Sequence, residues 1–275
     1  MIPSYKFQNG QKIPEIGFGT WKIAPRYLAS KAVSHALQAG YRHFDTAQVY
    51  MNEKGVGRAL KDSGIGREDL FVTTKIASGS IMHNLYADKL IPSFEESLKH
   101  LGTDYVDLLL IHFPATKTRK QAWPEMEKIY VSGKAKNIGV SNYTIRHLEE
   151  LLSQAKVKPA VNQVELHVFL QQPELLKFCK DHDILVEAYS PLAHGEKMEH
   201  PALQKIAVKH GKSTAQIMLR WCIEVGTVPL PKSTHLQRMK ENIDVFDFKL
   251  DDEDMGTIAK LNENLRTCWD PTDVE

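Results

Sequence analysis

Short apolar, β-prone runs alternate with stretches at helical spacing along nearly the whole chain. Eight such runs stand out, at 16–19, 41–45, 70–75, 106–112, 135–141, 160–165, 184–189 and 227–231. Runs that stay apolar without alternating polar positions are the mark of parallel strands buried on both faces. Between them, Leu90, Ile91, Phe94, Leu98 and Leu101 recur every three or four residues over 87–101, and Ile145, Leu148, Leu151 and Leu152 do so over 145–152. That period predicts amphipathic helices. Strand ends at 45, 75, 112 and 141 lie 30, 37 and 29 residues apart, about one strand-plus-helix unit each.

The interval from 189 to 232 is longer, 43 residues, and holds two helical patterns, Ala202–His210 and Thr214–Glu224. An extra helix is therefore expected before the eighth strand. Another, Asp251–Leu261, begins with an acidic first turn and follows the eighth unit. At the start, Asn9-Gly10 separates two strand-like pieces in residues 5–14 and predicts a hairpin with positive φ at both turn positions. Alternating strands and helices make a parallel sheet, and eight units favour closure. The expected fold is a (β/α)₈ TIM barrel, a single domain over 1–275, with an N-terminal β-hairpin and two extra helices. Loops at 22–28, 77–87, 114–121 and 193–200 and the tail after Leu261 are the expected mobile parts.

Composition narrows the functional classes. The 275 residues carry a formal net charge of +1, with 42% hydrophobic and 25% charged positions, so nothing points to nucleic acid or an anionic membrane. No apolar run reaches the ~20 residues a bilayer span needs. Cys179, Cys222 and Cys268 are scattered, without a CxxC pair, which fits free thiols in a reducing cytoplasm and no metal site.

Three strand ends carry chemistry. Tyr41-Arg42-His43-Phe44-Asp45 ends in a carboxylate, Phe71-Val72-Thr73-Thr74-Lys75 in an ammonium and Leu108-Leu109-Leu110-Ile111-His112 in an imidazole, and Tyr50 lies in the loop after the first. Barrel enzymes gather their active sites at such carboxyl ends. An ammonium beside a phenol favours its phenolate, a carboxylate can hold that ammonium, and an imidazole can orient a carbonyl oxygen. Together they suit proton transfer to a substrate oxygen. Taken singly, Asp45 with Lys75 reads equally as a structural ion pair, His112 as a satisfied core histidine and Tyr50 as a loop aromatic. Two other barrel chemistries stay open here: Lys75 as a Schiff-base nucleophile, and His43 with Asp45 as metal ligands.

The order of these motifs resembles the aldo-keto reductases. The resemblance rests on Gly40 through Ala47 with Tyr50 and Asn52-Glu53-Lys54-Gly55-Val56-Gly57, on Val72 to Lys75, on Leu110-Ile111-His112-Phe113-Pro114, on Gly139-Val140-Ser141-Asn142 and on Pro231 through Asn242. It implies a barrel that reduces carbonyls with NADPH, with Asp45, Tyr50, Lys75 and His112 as the catalytic tetrad. It also implies a nucleotide lying extended across the strand ends. Gly19, Thr20, Trp21 and Asp45 would flank it, and Ser141, Asn142 and Gln163 would bond the nicotinamide amide. Tyr189 would stack on the ring, Ser190, Pro191 and Leu192 would follow the pyrophosphate, and Glu241 and Asn242 would meet adenine. Lys232, Ser233, Thr234 and Arg238, placed at the opening of the eighth helix, would clamp the 2′-phosphate. No G-x-G-x-x-G occurs; Gly17-Phe18-Gly19 and Gly55-Val56-Gly57 read as tight turns or close helix packing.

For the substrate, Trp21, Tyr50, His112 and Phe113 are the expected contacts, and Asn84 through Ser93 resembles the compact bacterial members, which act on 2,5-diketogluconate, methylglyoxal and other small carbonyls. Ala77 and Phe113 stand where many members carry Trp, which predicts a wider pocket without an indole donor. Trp269 reads either as a lid over substrate or as a surface aromatic. The expected partner is a small-molecule carbonyl, and the chain is expected to be a monomer. A non-catalytic, cofactor-sensing role on the same barrel is the alternative; the complete tetrad opposes it.

Overall fold

A computed structural model of the chain describes residues 2–23, 26–77, 87–114 and 119–274. A two-stranded antiparallel hairpin, β1 (Ser4–Lys6) and β2 (Lys12–Pro14), comes first. Its turn differs from the expectation. Only Gly10 has positive φ, at 88°, and the loop spans Phe7 to Gln11, with Gly10 N donating to Phe7 O and Phe7 N to Gln11 O. This is the longer loop in which an ordinary turn is followed by a left-handed glycine, so Asn9 keeps negative φ.

Eight parallel strands follow: β3 (Phe18–Gly19), β4 (His43–Asp45), β5 (Phe71–Ile76), β6 (Leu108–Ile111), β7 (Ile138–Ser141), β8 (Val161–Glu165), β9 (Leu185–Tyr189) and β10 (Thr227–Leu230). They pair in sequence order. Gly17 N donates to Pro229 O and Gly19 N to Pro231 O, both at 3.0 Å, which joins β3 to β10 and closes the barrel. All eight expected runs are strands, seven of them shortened and β5 shifted by one residue.

Helices α1 (Arg26–Ala39), α2 (Glu53–Asp62), α3 (Ala87–Leu101), α4 (Arg119–Val131), α5 (Ile145–Leu152) and α6 (Pro173–Asp181) follow β3 to β8 in turn. Two helices, α7 (Pro201–His210) and α8 (Thr214–Glu224), precede β10, and α9 (Leu236–Ile243) and α10 (Asp252–Ala259) follow it. The expected extra pair is thus present. Asp251 lies outside α10 as its cap: it accepts from Asp254 N at 2.9 Å while Asp254 accepts from Asp251 N.

Strand alternation divides the core. Leu109 and Ile111 of β6 face the helices in the main apolar cluster. Leu108 and Leu110 face the lumen, where they join Phe71, Val161 and Ile13 under Tyr5 and Phe7 of the hairpin. The hairpin therefore plugs one end of the barrel and leaves the carboxyl ends of the strands open for chemistry.

The glycine pairs separate by role. A Cβ on Gly17 would stand 2.5 Å from the His43 ring, so glycine there admits a lumen side chain. On Gly55 and Gly57 it would stand 2.3 Å from Arg26 O and 2.2 Å from Leu101 O, the close helix packing expected. The tail after Leu261 is tied down: Glu263 N and Leu265 N both donate to Phe169 O. Of the expected mobile stretches 77–87 and 114–121, residues 78–86 and 115–118 lie outside the described residues, Asn84 to Tyr86 among them.

Candidate active site

The sequence sets up the site by placing one titratable group at or beside the carboxyl end of each of three buried strands. Asp45 is the last residue of β4, and a short 3₁₀ turn, Gln48–Tyr50, lifts Tyr50 over it. Lys75 lies on β5, a strand buried along its whole length, and His112 directly follows β6. The four residues that the sequence singles out meet at one place. Lys75 Nζ donates to Asp45 Oδ1 at 2.6 Å, to Thr46 O at 3.1 Å and to the Tyr50 hydroxyl at 3.2 Å. The rings of Tyr50 and His112 meet edge to face, 5.6 Å apart.

Electrostatics assign the protons. Burial pulls Lys75 down, but Asp45 and Tyr50 outweigh it and leave the group above its ordinary value. A buried, protonated amine is a poor nucleophile, which disfavours the Schiff-base reading. Burial raises Tyr50, Lys75 opposes that rise, and the phenol stays above its ordinary value. The resting acid is therefore loaded with its proton. Burial and then Lys75 lower His112 well below its ordinary value, so its ring is neutral. Its Nδ1 is buried without a hydrogen bond among the described residues. An unmet acceptor there costs less than an unmet N–H, which favours the Nε2–H tautomer.

A cleft of about 1010 Å³ runs across the strand ends. Tyr50, His112, Phe113 and Trp21 line one part of it, followed by Asp45, Gly19, Ser141, Asn142 and Gln163. Tyr189, Ser190, Pro191 and Leu192 continue the wall to Lys232, Ser233, Thr234, Arg238, Glu241 and Asn242. Two of the expected residues lie elsewhere. Lys75 is fully buried beneath the cleft, and Thr20 is buried with its hydroxyl on Asp45 O at 2.9 Å. Lys232 and Ser233 do not open a helix; they sit in the loop before α9, where Ser233 Oγ accepts from His235 N at 3.0 Å.

Side chains in the cleft are held from below. Asn142 donates to His112 O at 3.0 Å and accepts from the Tyr189 hydroxyl at 2.7 Å, and Ser141 Oγ donates to Gln163 O at 2.8 Å. At the mouth, Phe113 stacks on His112 with centroids 4.3 Å apart and meets Trp269 edge-on at 5.3 Å. Ala77 is buried, with its amide on Gln48 Oε1, and is not in the described cleft wall.

Two buried carboxyls escape the sequence reading. Glu165, the last residue of β8, accepts from Thr267 N at 2.7 Å, Thr267 Oγ1 at 2.6 Å and Cys268 N at 3.2 Å, and so anchors the tail that carries Trp269. Glu187 sits inside the barrel on β9. Its one sequence signal is a carboxyl interrupting an apolar strand, Leu185-Val186-Glu187-Ala188-Tyr189.

A cleft across the carboxyl ends of an eight-stranded barrel, with a tyrosine, lysine, histidine and aspartate at its floor, defines a barrel oxidoreductase. The chain belongs to the aldo/keto reductase family, whose model matches residues 15–263. It is 44% identical to glyoxal reductase of Bacillus subtilis over 269 residues, 98% of this chain and 96% of that protein. It is 41% identical to methylglyoxal reductase DkgA of Escherichia coli over 270 residues, 97% of this chain and 96% of that one. Among solved structures it resembles a Bombyx mori aldo-keto reductase in complex with NADP, with a TM-score of 0.89 and 36% identity, covering 97% of this chain and 94% of that one.

Proposed function

We propose that the chain reduces small aldehydes, ketones and α-dicarbonyls with NADPH, with Tyr50 as the proton donor. The observation that carries this reading is the placement of Lys75 Nζ between Asp45 and the Tyr50 hydroxyl at the floor of the cleft. The glyoxal and methylglyoxal reductases among its relatives favour short α-dicarbonyls as substrates.

The residues present fit the cofactor. Lys232 and Arg238 are exposed, make no ion pair among the described residues and flank Ser233, an arrangement suited to a phosphate monoester. Both amide hydrogens of Gln163 are taken by carboxyl groups, which leaves only its oxygen to accept from a carboxamide in the cleft. When bound, NADPH supplies the hydride that reaches the carbonyl carbon.

The protein's own residues manage the proton. Because the Tyr50 oxygen accepts from Lys75, the phenolic hydrogen is left to point away from it, toward the cleft. His112, as a neutral ring, donates Nε2–H to the same substrate oxygen and fixes its position. Transfer of the phenolic proton leaves a phenolate beside the Lys75 ammonium, where the opposite charge stabilises it. Asp45 holds that ammonium in place. The aromatic wall of Phe113 and Trp269 shields the carbonyl from water.

A panel of methylglyoxal, glyoxal, 2,5-diketogluconate, aromatic aldehydes and ketones, followed by NADPH consumption, tests the reading. Short dicarbonyls should be turned over with the highest kcat/KM. NADPH binding with no turnover of any carbonyl would favour a cofactor-sensing role instead.

A further inference from the structure

One ammonium and two carboxyls share the lumen beneath the cleft. Lys75 and Asp45 already have roles in the reduction, whereas Glu187 has none. Its side chain is fully buried on β9, and Gln163 of β8 is its register partner. Gln163 Nε2 donates to Glu187 Oε2 at 2.8 Å and to Asp45 Oδ2 at 2.9 Å. One amide thus bridges Glu187 to the carboxylate that holds Lys75. The other oxygen, Glu187 Oε1, makes no hydrogen bond among the described residues, and His43 Nε2 stands 3.4 Å from it.

Charge counting then decides the protonation. Lys75 is 2.6 Å from Asp45, so that pair is neutral. A second carboxylate buried in the same lumen would lack a counterion, which strongly disfavours its charged form. His43 does not compensate it: its ring packs edge-on against Phe71 at 4.8 Å, and burial together with Lys75 lowers it to about 3. The other facing strands add no cation, since β5 brings Thr73 besides Lys75, β8 brings Gln163, and β10 carries no titratable side chain. Burial, then repulsion by Asp45, raises Glu187 to about 8.

We propose that Glu187 is a positioning residue of the reduction: as a neutral carboxylic acid it locks the Gln163 amide between itself and Asp45, and it leaves Asp45 as the only anion paired with Lys75. This rests on the reading of Tyr50 as the proton donor. The acid carbonyl accepts from Gln163, and the acid O–H sits on Oε1, 3.4 Å from His43 Nε2, a nitrogen that the Thr73 hydroxyl also approaches at 3.3 Å, so no net charge is added. The locked amide presents its oxygen to the cleft in one orientation. Loss of the Glu187 proton puts a second anion beside Asp45. That charge binds the protons of Lys75 and Tyr50 more tightly and makes the phenol a poorer donor. Carbonyl reduction therefore falls as pH rises through about 8.

Infrared difference spectra of the cofactor-free protein, taken from about pH 6 to about pH 10, test the protonation directly. Wild type should show the carbonyl band of a protonated carboxylic acid at neutral pH, lost near pH 8 and missing from Glu187→Gln. In steady state, the wild-type alkaline decline in kcat/KM should be absent from Glu187→Gln. Glu187→Leu frees the Gln163 amide and should lose on the order of tenfold in kcat/KM, with a raised KM for NADPH, and the glutamine variant should recover most of that loss. No acid band in wild type, an unchanged alkaline decline in Glu187→Gln, or a leucine variant that matches wild type would each overturn the proposal. The infrared result does not depend on which residue donates the proton, so failure of the Tyr50 reading is distinguishable from failure here.

Discussion

Lys75 Nζ stands 3.2 Å from the Tyr50 hydroxyl and donates to it, so the cation lies where charge develops when the phenol gives up its proton. Lys75→Met removes that charge and leaves Asp45 as a buried anion without its counterion. We expect kcat/KM for carbonyl reduction to fall by about 10²-fold or more, with any alkaline decline moved to higher pH, because Lys75 lowers both Tyr50 and Glu187 and its loss lets each hold its proton longer. Initial rates across pH for the variant and wild type check this.

Lys232 and Arg238 reach the far end of the cleft without an ion-pair partner among the described residues. Neutralising either should weaken NADPH binding by roughly tenfold or more and leave NADH binding little changed, since only the former carries a 2′-phosphate. Fluorescence titration of Lys232→Ala and Arg238→Ala with each cofactor separates the two cases. Equal losses for both cofactors would place these cations elsewhere in the binding mode.

Glu165 makes three hydrogen bonds to Thr267 and Cys268, and Trp269 follows them directly. Glu165→Ala should release this stretch of tail and with it the edge-on contact between Trp269 and Phe113. The expected result is a KM for the carbonyl raised on the order of tenfold, a smaller change for NADPH, and faster proteolytic cleavage after Leu265. Steady-state kinetics and limited proteolysis read the two effects.

Stability should carry the signature of Glu187. Its folded form holds a proton to about pH 8, well above the ordinary carboxylate range in which the unfolded chain releases it. Between those limits the folded state binds more protons than the unfolded one, so this group's contribution is full at acidic pH and is lost as pH rises through about 8. Glu187→Gln has no such proton. Its melting temperature should gain on that of wild type steadily as pH is raised across this window, and a constant difference would contradict the assignment.

The barrel was legible because strands buried on both faces need no alternating polar residues, so most appear as largely apolar runs, and three of those runs close on Asp45, Lys75 and His112. The tetrad followed from that pattern, with Tyr50 in the loop after the first. Local chemistry was less legible. The Asn9-Gly10 pair suggested a two-residue turn, but the strands leave room for a longer loop in which Gly10 alone takes positive φ. Lys232 and Ser233 looked like the start of a helix, yet the Ser233 hydroxyl turns the chain locally and α9 begins only at Leu236. Glu165 and Glu187 were hidden for a different reason. Glu165 has His167 two residues on, but its tail partners lie 102 and 103 residues downstream, and the partner of Glu187 is Gln163 on the neighbouring strand, 24 residues upstream, so the tail anchor and the buried bridge are not visible in the local sequence.

Reduction depends on the proton that Tyr50 donates, and Tyr50→Phe removes that proton with little else. Single-turnover reduction of methylglyoxal by the variant, preloaded with NADPH under conditions where binding is confirmed by fluorescence, is the most direct measurement. The expected result is unchanged cofactor binding with the rate of reduction down by about 10³-fold or more. A variant that binds NADPH and still reduces the aldehyde within a few-fold of wild type would contradict the account.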